Sequence, residues 1–330
     1  MVFSLIPMMV GFFVKLCVSS EQCSAISNFL ILLSDSKHRF AFVYVFLGAA
    51  LWGIIGLFIE ELSQAGFSAL QIVTLRVVSA SVMLVCYMAL KNPKLLKIDL
   101  KDSMNFVGTG IFSTVFFSWA YFTTIEEVSL SVAVILLYTG PAFVVILSRI
   151  FFKEPMTSRK MGALVLTLLG CVLVVKVFPI GIEHISWYGI IVGLASGFGY
   201  ALYSIFGKHA LKKYHPLTVI TYTFVFASAV MLPVSGITIS TSDLQSTHVW
   251  MNILGLGFFP TALAYYLYTM GLSMVESGRA SIAATIEPLV ATLLGVFVFN
   301  EVLTVFQVVG MLLVLSAVLL IQFKQANTLK

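Results

Sequence analysis

Two charged residues stand inside apolar segments and are the first candidates for chemistry. Arg76 lies in the run Leu75-Arg76-Val77, and Glu287 lies in the run Ile286-Glu287-Pro288. A charge in hydrocarbon costs at least about 2.5–3.5 kcal/mol on insertion scales, so such a residue normally faces a cavity or a partner. Arg76 is predicted to hold an anionic group of a solute, with Glu287 as its ion partner or as a proton carrier. The alternative is a structural ion pair that joins two helices.

Aromatic side chains recur in the same apolar segments. Their faces and hydroxyls suit a cavity for solutes that have both polar and apolar parts, although packing against helices or lipid is the alternative for each. Tyr138 comes first among them because it sits at the depth predicted for Arg76. The candidates are Trp52, Tyr121, Tyr138, Tyr200, Tyr203, Tyr265 and Tyr268.

Prolines and glutamates mark repeat-related positions in two of these segments. Pro141 and Pro288 each remove a backbone donor and are predicted to kink their helices, with or without contact to a solute. Thirteen residues further on stand Glu154 and Glu301. These glutamates are predicted to cap the helices that follow them, and the alternative is that they gate opposite mouths of a path.

The elements that must position these residues are membrane-spanning helices. Sixty per cent of the residues are hydrophobic and ten per cent are charged, and the mean hydropathy of +1.05 lies far outside the soluble range. Ten segments have about the length of ~20 residues that crosses a bilayer as a helix. We number them spans one to ten, at 40–60, 68–90, 104–123, 130–152, 161–178, 187–207, 216–235, 249–271, 279–299 and 303–323.

The chain repeats itself at a constant spacing. When 121–157 is laid over 268–304, identical residues recur without a gap, and the prolines and glutamates named above are among them. We therefore predict an all-α polytopic membrane protein of two five-helix repeats, at 40–178 and 187–323, between an extension at 1–39 and a tail at 324–330. An odd number of spans in each repeat turns the second copy upside down, as in many transporters.

The loop charges predict the orientation. All nineteen lysines and arginines except Lys15, Arg76 and Lys176 fall on one side of the ten spans. Basic loops mark the cytoplasmic side, so the C-terminal tail is predicted to be cytoplasmic. Residues 1–36 fit this scheme poorly, and three interpretations stay open: an upstream extension or mis-called start, an extra helix, or a cleaved leader.

The motifs of these spans carry a family resemblance. They are Gly48-Ala49-Ala50-Leu51-Trp52-Gly53, Leu75-Arg76-Val77, Leu137-Tyr138-Thr139-Gly140-Pro141, Lys153-Glu154, Ile286-Glu287-Pro288-Leu289 and Asn300-Glu301. In this order they resemble an EamA-type member of the drug/metabolite transporter superfamily over about 40–323. The resemblance implies a ten-helix inverted-repeat fold with a central cavity that exports small organic solutes such as amino acids or metabolites. Span six has Gly199-Tyr200-Ala201 where many relatives carry tryptophan, which leaves the solute open.

Several other functions are disfavoured by the sequence. No Gly-x-x-x-x-Gly-Lys-Ser/Thr loop is present, so ATP-driven pumping by this chain is excluded and no ATPase subunit is evident. The four cysteines and five histidines do not cluster as metal ligands, and no cofactor is expected. The basic residues are distributed among the loops on one side of the membrane and do not form a patch on one surface of the fold. This distribution argues against nucleic acid as a partner.

The sequence therefore predicts a secondary transporter of the cell membrane, not an enzyme. It would export a small organic solute by alternating access, with proton exchange as the candidate coupling. The chain is expected to work as a monomer or weak dimer in the lipid bilayer. The alternatives are an importer of the same fold, a membrane-embedded enzyme that uses Glu126 or Asp243 on a lipid-linked substrate, and a channel.

Overall fold

Apolar helices joined by short turns make up a computed structural model of the chain, which describes residues 36–175, 186–237, 246–299 and 302–322. No β-strand occurs among these residues, so the predicted all-α polytopic membrane protein is confirmed. The predictions for the N-terminal extension, for Lys176, Asp243 and Glu301, and for the C-terminal tail lie outside the described residues.

Nine segments of the described chain are long and apolar enough to cross a bilayer. They are Phe40–Gln64, Ala69–Lys91, Leu100–Glu127, Leu130–Phe152, Trp187–Ala210, Pro216–Val234, Thr247–Met274, Ser277–Val298 and Val305–Gln322. Span five is the helix Ser158–Val174, whose 17 residues fall just below the length of the others. The ten predicted spans thus all correspond to helices in the part of the chain that the structure describes.

Several spans are interrupted rather than continuous. Span one consists of helices Ser36–Gly53 and Ile55–Gln64, span four of Leu130–Leu137 and Gly140–Phe152, and span nine of Ser277–Ala284 and Glu287–Phe299. Span three runs through Ser103–Val107, the π-helix Gly108–Val115 and Phe116–Glu127, and span eight through Thr247–Gly257, the π-helix Phe258–Leu263 and Ala264–Met274. Such interruptions are common at functional sites of membrane proteins.

The interruptions follow the internal repeat. The half-helices of span four begin at Leu130 and Gly140, and those of span nine begin at the repeat-equivalent positions Ser277 and Glu287. The π-helices of spans three and eight contain the same hydrogen bond at equivalent positions. Thr114 in span three and Thr261 in span eight each donate to the carbonyl oxygen of the residue five positions earlier. The internal repeat is therefore visible both in identical residues and in the positions of the helix breaks and π-helices.

The two repeats are inverted relative to one another. Glu154, which follows the end of span four, contacts the backbone of Ser277 and Gly278 at the start of span nine. Since spans four and nine are equivalent in the repeat, the end of one can meet the start of the other only if they run in opposite directions. The predicted inverted arrangement is confirmed by this contact.

Basic residues gather at one end of the helices, which we call the basic end. Lys213, after span six, is 2.7 Å from Asp102 and also pairs with Asp99 before span three. Hydrogen bonds to Asp102 and then to Asp99 raise the pKa of Lys213, which keeps its ammonium charged. Lys212 lies over the Phe152 ring at the end of span four. The opposite end, where Glu127 accepts from Ser186 Oγ at 3.0 Å, is called the far end.

Glycines bring spans into close contact within the chain. Along span six, a Cβ added at Gly197 would lie 2.9 Å from the Leu136 carbonyl oxygen of span four. Gly189 and Gly193 face spans three and four in the same way. This row of glycines could serve packing within the protomer or the seam of a dimer. The contacts show that it packs within the protomer.

Spans five and ten cross where two glycines meet. A Cβ added at Gly170 would lie 2.8 Å from the Gly310 carbonyl oxygen, and one added at Gly310 would lie 2.7 Å from the Gly170 carbonyl oxygen. Backbones can approach this closely only where side chains are absent, as at other small-residue contacts between membrane helices. Span five is thereby fixed against span ten of the other repeat.

We predict that Gly170→Ala destabilises the protein by about 1–3 kcal/mol, the usual cost of overpacking. Gly162→Ala in the same helix is the matched control, because its added Cβ would meet nothing closer than Leu320 Cδ2 at 3.6 Å. The measurement is the thermal unfolding midpoint of each variant in detergent. Equal midpoints for the two variants would contradict the close crossing.

Candidate functional site

A cavity lies between the two repeats and brings several of the sequence candidates together. Arg76 of span two and Glu287 of span nine both line it. The full lining is Trp52, Ile55, Arg76, Phe117, Leu137, Tyr138, Pro141, Tyr200, Tyr265, Ala284, Thr285 and Glu287. Spans from both halves of the chain therefore contribute to one central site, which we call the central cavity.

The breaks in spans four and nine lie at the central cavity. Span four is broken at Tyr138 and Thr139, and span nine is broken at the equivalent residues Thr285 and Ile286. Pro141 and Pro288 are each the second residue of the half-helix that follows, where a missing backbone donor costs little. The breaks thus lie just before the two prolines, and the N-termini of two half-helices reach the site.

The half-helix termini shape the electrostatics of the site. The N-terminus of a helix carries a partial positive charge, which favours a nearby anion. Glu287 is the first residue of its half-helix, so its carboxylate benefits from that charge. The equivalent half-helix of span four begins at Gly140, which leaves its N-terminus free of a side-chain carboxylate.

Arg76 is a buried cation that lines the central cavity. Its side chain is 9% exposed, and its Nε is buried without a hydrogen-bond partner. No direct ion pair joins it to Glu287 in the described part of the chain, although both face the same cavity. The alternative of a structural ion pair between Arg76 and Glu287 is therefore not realised in this conformation, and one donor of the guanidinium stays without a partner.

The repeat equivalents of these charges have structural contacts instead. Thr223, the equivalent of Arg76, donates to Thr109 Oγ1 at 2.6 Å. A Cβ added at Gly140, the equivalent of Glu287, would lie 2.7 Å from Tyr200 Cδ1. Of the two repeat-related pairs of positions, only Arg76 and Glu287 are charged, while Thr223 and Gly140 are not.

Aromatic rings pack around one side of the central cavity. The ring centroids of Trp52 and Tyr265 are 5.0 Å apart in an edge-to-face arrangement, and those of Tyr265 and Tyr203 are also 5.0 Å apart. Tyr138 and Tyr200 complete the aromatic lining. Rings locked by such contacts present a fixed surface, which lowers the entropic cost of binding a flat or apolar group.

A second, larger cavity leads from the central cavity to the far end. It shares Trp52, Ile55 and Glu287 with the central cavity and extends to Glu60 and Glu126. Tyr121 lines this larger space, whereas Tyr268 lines neither cavity and is 1% exposed. The conformation is open at the far end.

Two buried pairs of hydroxyl groups lie on the side of the central cavity that faces the basic end. Tyr203 and Thr269 are joined at 2.6 Å, and Ser204 and Tyr268 at 2.7 Å. These bonds link spans six and eight and are buried. In the first repeat the equivalent positions are Gly56, Leu57, Tyr121 and Phe122, which all line the larger cavity.

Comparison with known proteins identifies this architecture. The model of the EamA-like transporter family matches the chain twice, at residues 39–176 and 187–323. The chain belongs to the EamA-like transporter family. The two matches cover the two repeats described above, so each repeat is one EamA domain.

Relatives of this EamA protein are themselves named as transporters. An uncharacterized transporter of Archaeoglobus fulgidus is 33% identical over 201 residues, which is 61% of this chain and 70% of the relative. The uncharacterized inner membrane transporter YicL of Salmonella typhimurium is 24% identical over 286 residues, or 84% of this chain and 93% of the relative. A solved crystal structure shares the fold, with a TM-score of 0.73 at 15% identity over 85% of this chain and 95% of the other.

Some residues of the EamA cavity were missed by sequence reasoning. Thr285 lines the cavity at the position equivalent to Tyr138, and Ala284 does so at the position equivalent to Leu137. The spacing of the internal repeat, applied to Tyr138, was the signal that could have found Thr285. Among the described residues, His, Cys, Asp and Glu side chains do not form a cluster of three or more that could hold a metal ion.

Proposed function

We propose that this EamA protein is a secondary transporter that exports small organic metabolites or amino acids by alternating access. The observation that carries the proposal is the central cavity between two inverted repeats, which is lined by Arg76, a buried cation whose Nε has no hydrogen-bond partner. A cavity at a repeat interface beside broken helices is the usual place of a transporter site. The family membership and the names of the relatives support transport itself.

The solute is proposed to combine a small anionic group with an apolar or aromatic body. Arg76 supplies the cation for the anionic group, and the N-terminus of the half-helix at Gly140 supplies partial positive charge. Trp52, Tyr138, Tyr200 and Tyr265 supply the surface for the body. Tyr121 is proposed to touch the solute on its way through the larger cavity.

Glu287 is proposed to couple transport to protons. It is the one carboxylate that both cavities share among the described residues. A carboxyl group at such a position can bind a proton in one state of the cycle and release it in the other. If proton exchange drives export, solute flux in vesicles will respond to an imposed pH gradient.

The basic end is proposed to be cytoplasmic, with the C-terminus on that side of the cell membrane. The gathering of lysines and arginines at one end supports this orientation through the positive-inside rule. The conformation described here would then be outward-open. An importer remains the second candidate function, because an inverted-repeat fold does not set the direction of transport.

The experiment that tests export is the extracellular metabolite profile of cells overproducing the wild type, an empty vector, or Arg76→Ala. A solute that builds up outside only with the wild type supports export and names the solute class. Uptake of a medium component only with the wild type would point to the importer instead. Flux without saturation would indicate a channel, and turnover of a lipid head group that needs Glu126 would indicate an enzyme.

A further inference from the structure

A buried carboxylate at the basic end joins the two repeats. Glu154 is 8% exposed and lies between spans four and five of the first repeat. Its Oε1 accepts from the Ser277 backbone N–H at 2.7 Å, and its Oε2 accepts from the Gly278 backbone N–H at 3.2 Å. Both donors begin the first half-helix of span nine in the second repeat.

This contact corrects the sequence-based interpretation of Glu154. The sequence predicts that the glutamate caps the helix that follows it, but Thr157 performs that role by accepting from the Lys160 backbone N–H at 3.2 Å. The half-helix Ser277–Ala284 has no cap from its own preceding residue, Glu276. Glu154 therefore caps a helix of the opposite repeat, where its negative charge matches the positive helix terminus.

A buried lysine strengthens the same contact. Lys160 of span five is 4% exposed, and its Nζ lies 2.7 Å from Glu276 Oε2 and 3.7 Å from Glu154 Oε2. Glu276 belongs to the second repeat, so the lysine also bridges the two halves. A buried charge is costly to leave unpaired, so loss of either Glu154 or Lys160 would leave its partner less well satisfied.

The backbone before Glu154 is held in an uncommon conformation. Lys153 has φ 55° and ψ 28°, the left-handed region, and no other non-glycine residue in the described ranges has a positive φ. A lysine in this region costs about 1–2 kcal/mol. The strained residue turns the chain at the end of span four and presents Glu154 to span nine.

The equivalent half-helix at the far end is capped from within its own repeat. The half-helix Leu130–Leu137 is capped by its own Ser129, whose Oγ accepts from the Val132 backbone N–H at 3.3 Å. Leu130 is 59% exposed and lines the larger cavity. Other contacts join the two halves of the chain at the far end: Glu127 accepts from Ser186 Oγ, and Glu61 Oε2 lies 3.4 Å from His248 Nε2. Among the described residues, a carboxylate of one repeat caps a half-helix of the other only at the basic end.

We propose that Glu154, Lys160 and the start of span nine form a latch that holds the basic end closed and must release in each transport cycle. The proposal rests on alternating access as proposed above. The bonds that Glu154 makes to Ser277 and Gly278 exist only while spans four and nine are in contact. Removing the carboxylate therefore shifts the population toward the state that is open at the basic end.

The test measures thiol labelling at the two ends in a background without native cysteines. Val145→Cys reports on the basic end, because Val145 is 1% exposed and its Cγ2 would lie 3.0 Å from a Cβ added at Gly278. Leu130→Cys reports on the far end. Right-side-out and everted vesicles expose the two ends separately to an impermeant reagent. Glu154→Ala is compared with Glu127→Ala, an exposed carboxylate at the far end.

Glu154→Ala is expected to raise labelling of Val145→Cys about tenfold from the basic end and to lower labelling of Leu130→Cys from the far end. A tenfold shift corresponds to about 1.4 kcal/mol. Glu127→Ala is expected to change neither. Unchanged labelling at both ends, or a rise at both ends from general loosening, would overturn the latch.

A second variant keeps the proposal testable if Glu154→Ala does not fold. A disulfide between Glu154→Cys and Ser277→Cys would hold the latch shut, so transport is expected to stop and to return on reduction. Transport that continues with the disulfide formed would overturn the latch. Because labelling needs no knowledge of the solute, its failure is distinct from failure of the proposed export, which would show as no solute flux in the wild type.

Discussion

Arg76→Ala is expected to leave a folded protein that has lost transport. A hydrogen bond to a charged group contributes about 1.5–3 kcal/mol, so removing the guanidinium should weaken solute binding about 10–100-fold. The fold should survive because Arg76 makes no direct ion pair among the described residues, and the substitution removes only its interaction with Tyr265 and a longer-range attraction to Glu287. The measurement is solute flux in reconstituted vesicles, beside the unfolding midpoint.

Two variants sharpen the test of Arg76. Arg76→Lys keeps the charge but loses the planar fork, so intermediate flux is expected if the solute is bound through two donors. Thr223→Ala changes the repeat-equivalent position, where the side chain donates to Thr109 and does not line the central cavity. It should keep most of its flux. Wild-type flux in folded Arg76→Ala would remove this residue from the site.

Glu287→Gln is expected to separate transport from the pH gradient. The substitution keeps the shape of the side chain but removes the group that could carry a proton through the cycle. Exchange of solute across the membrane without a gradient should persist, while flux driven by an imposed pH gradient should fall at least about tenfold. The measurement compares the two kinds of flux in the same vesicles.

The control for Glu287 is Glu126→Gln, a carboxylate at the mouth of the larger cavity. It should respond to the gradient as the wild type does. A normal gradient response in Glu287→Gln would assign coupling to another group. A wild type that is indifferent to the gradient would exclude proton coupling altogether.

Much of the fold could be predicted because each span is a continuous apolar segment of bilayer length. The internal repeat also predicts the inverted arrangement, since an odd number of spans in each half leaves no other orientation. The sequence predicts kinks at Pro141 and Pro288, but it does not predict that the helices are broken at Tyr138–Thr139 and Thr285–Ile286. A proline in a sequence predicts a disturbance of the helix, but it does not show whether the helix bends, or ends and restarts.

The sequence predicts charged and aromatic candidates for the central cavity, but it does not predict how these side chains are arranged around it. Intramembrane charge singled out Arg76 and Glu287, because burying a charge is costly enough to require an explanation. Which side chains share a cavity depends on how the spans rotate and pack, and apolar spans carry little signal for that. Tyr268 shows the limit: its sequence environment resembles that of Tyr265, yet it is bonded to Ser204 outside both cavities.

Glu154 shows why a contact between distant segments escapes local reasoning. Its neighbours suggested a cap for the next helix, and Thr157 was equally well placed for that role. The partner lies 123 residues away at Ser277, so only the packing of the two repeats reveals it.

The central claim is that the solute occupies the central cavity and is held there by Arg76. The most direct measurement is labelling of Leu137→Cys, a cavity position, with and without the exported solute in a background free of native cysteines. Solute at ten times its Kd should slow labelling about tenfold in the wild type and have little effect when combined with Arg76→Ala. Equal labelling rates with and without solute, in a protein that still transports it, would contradict the account.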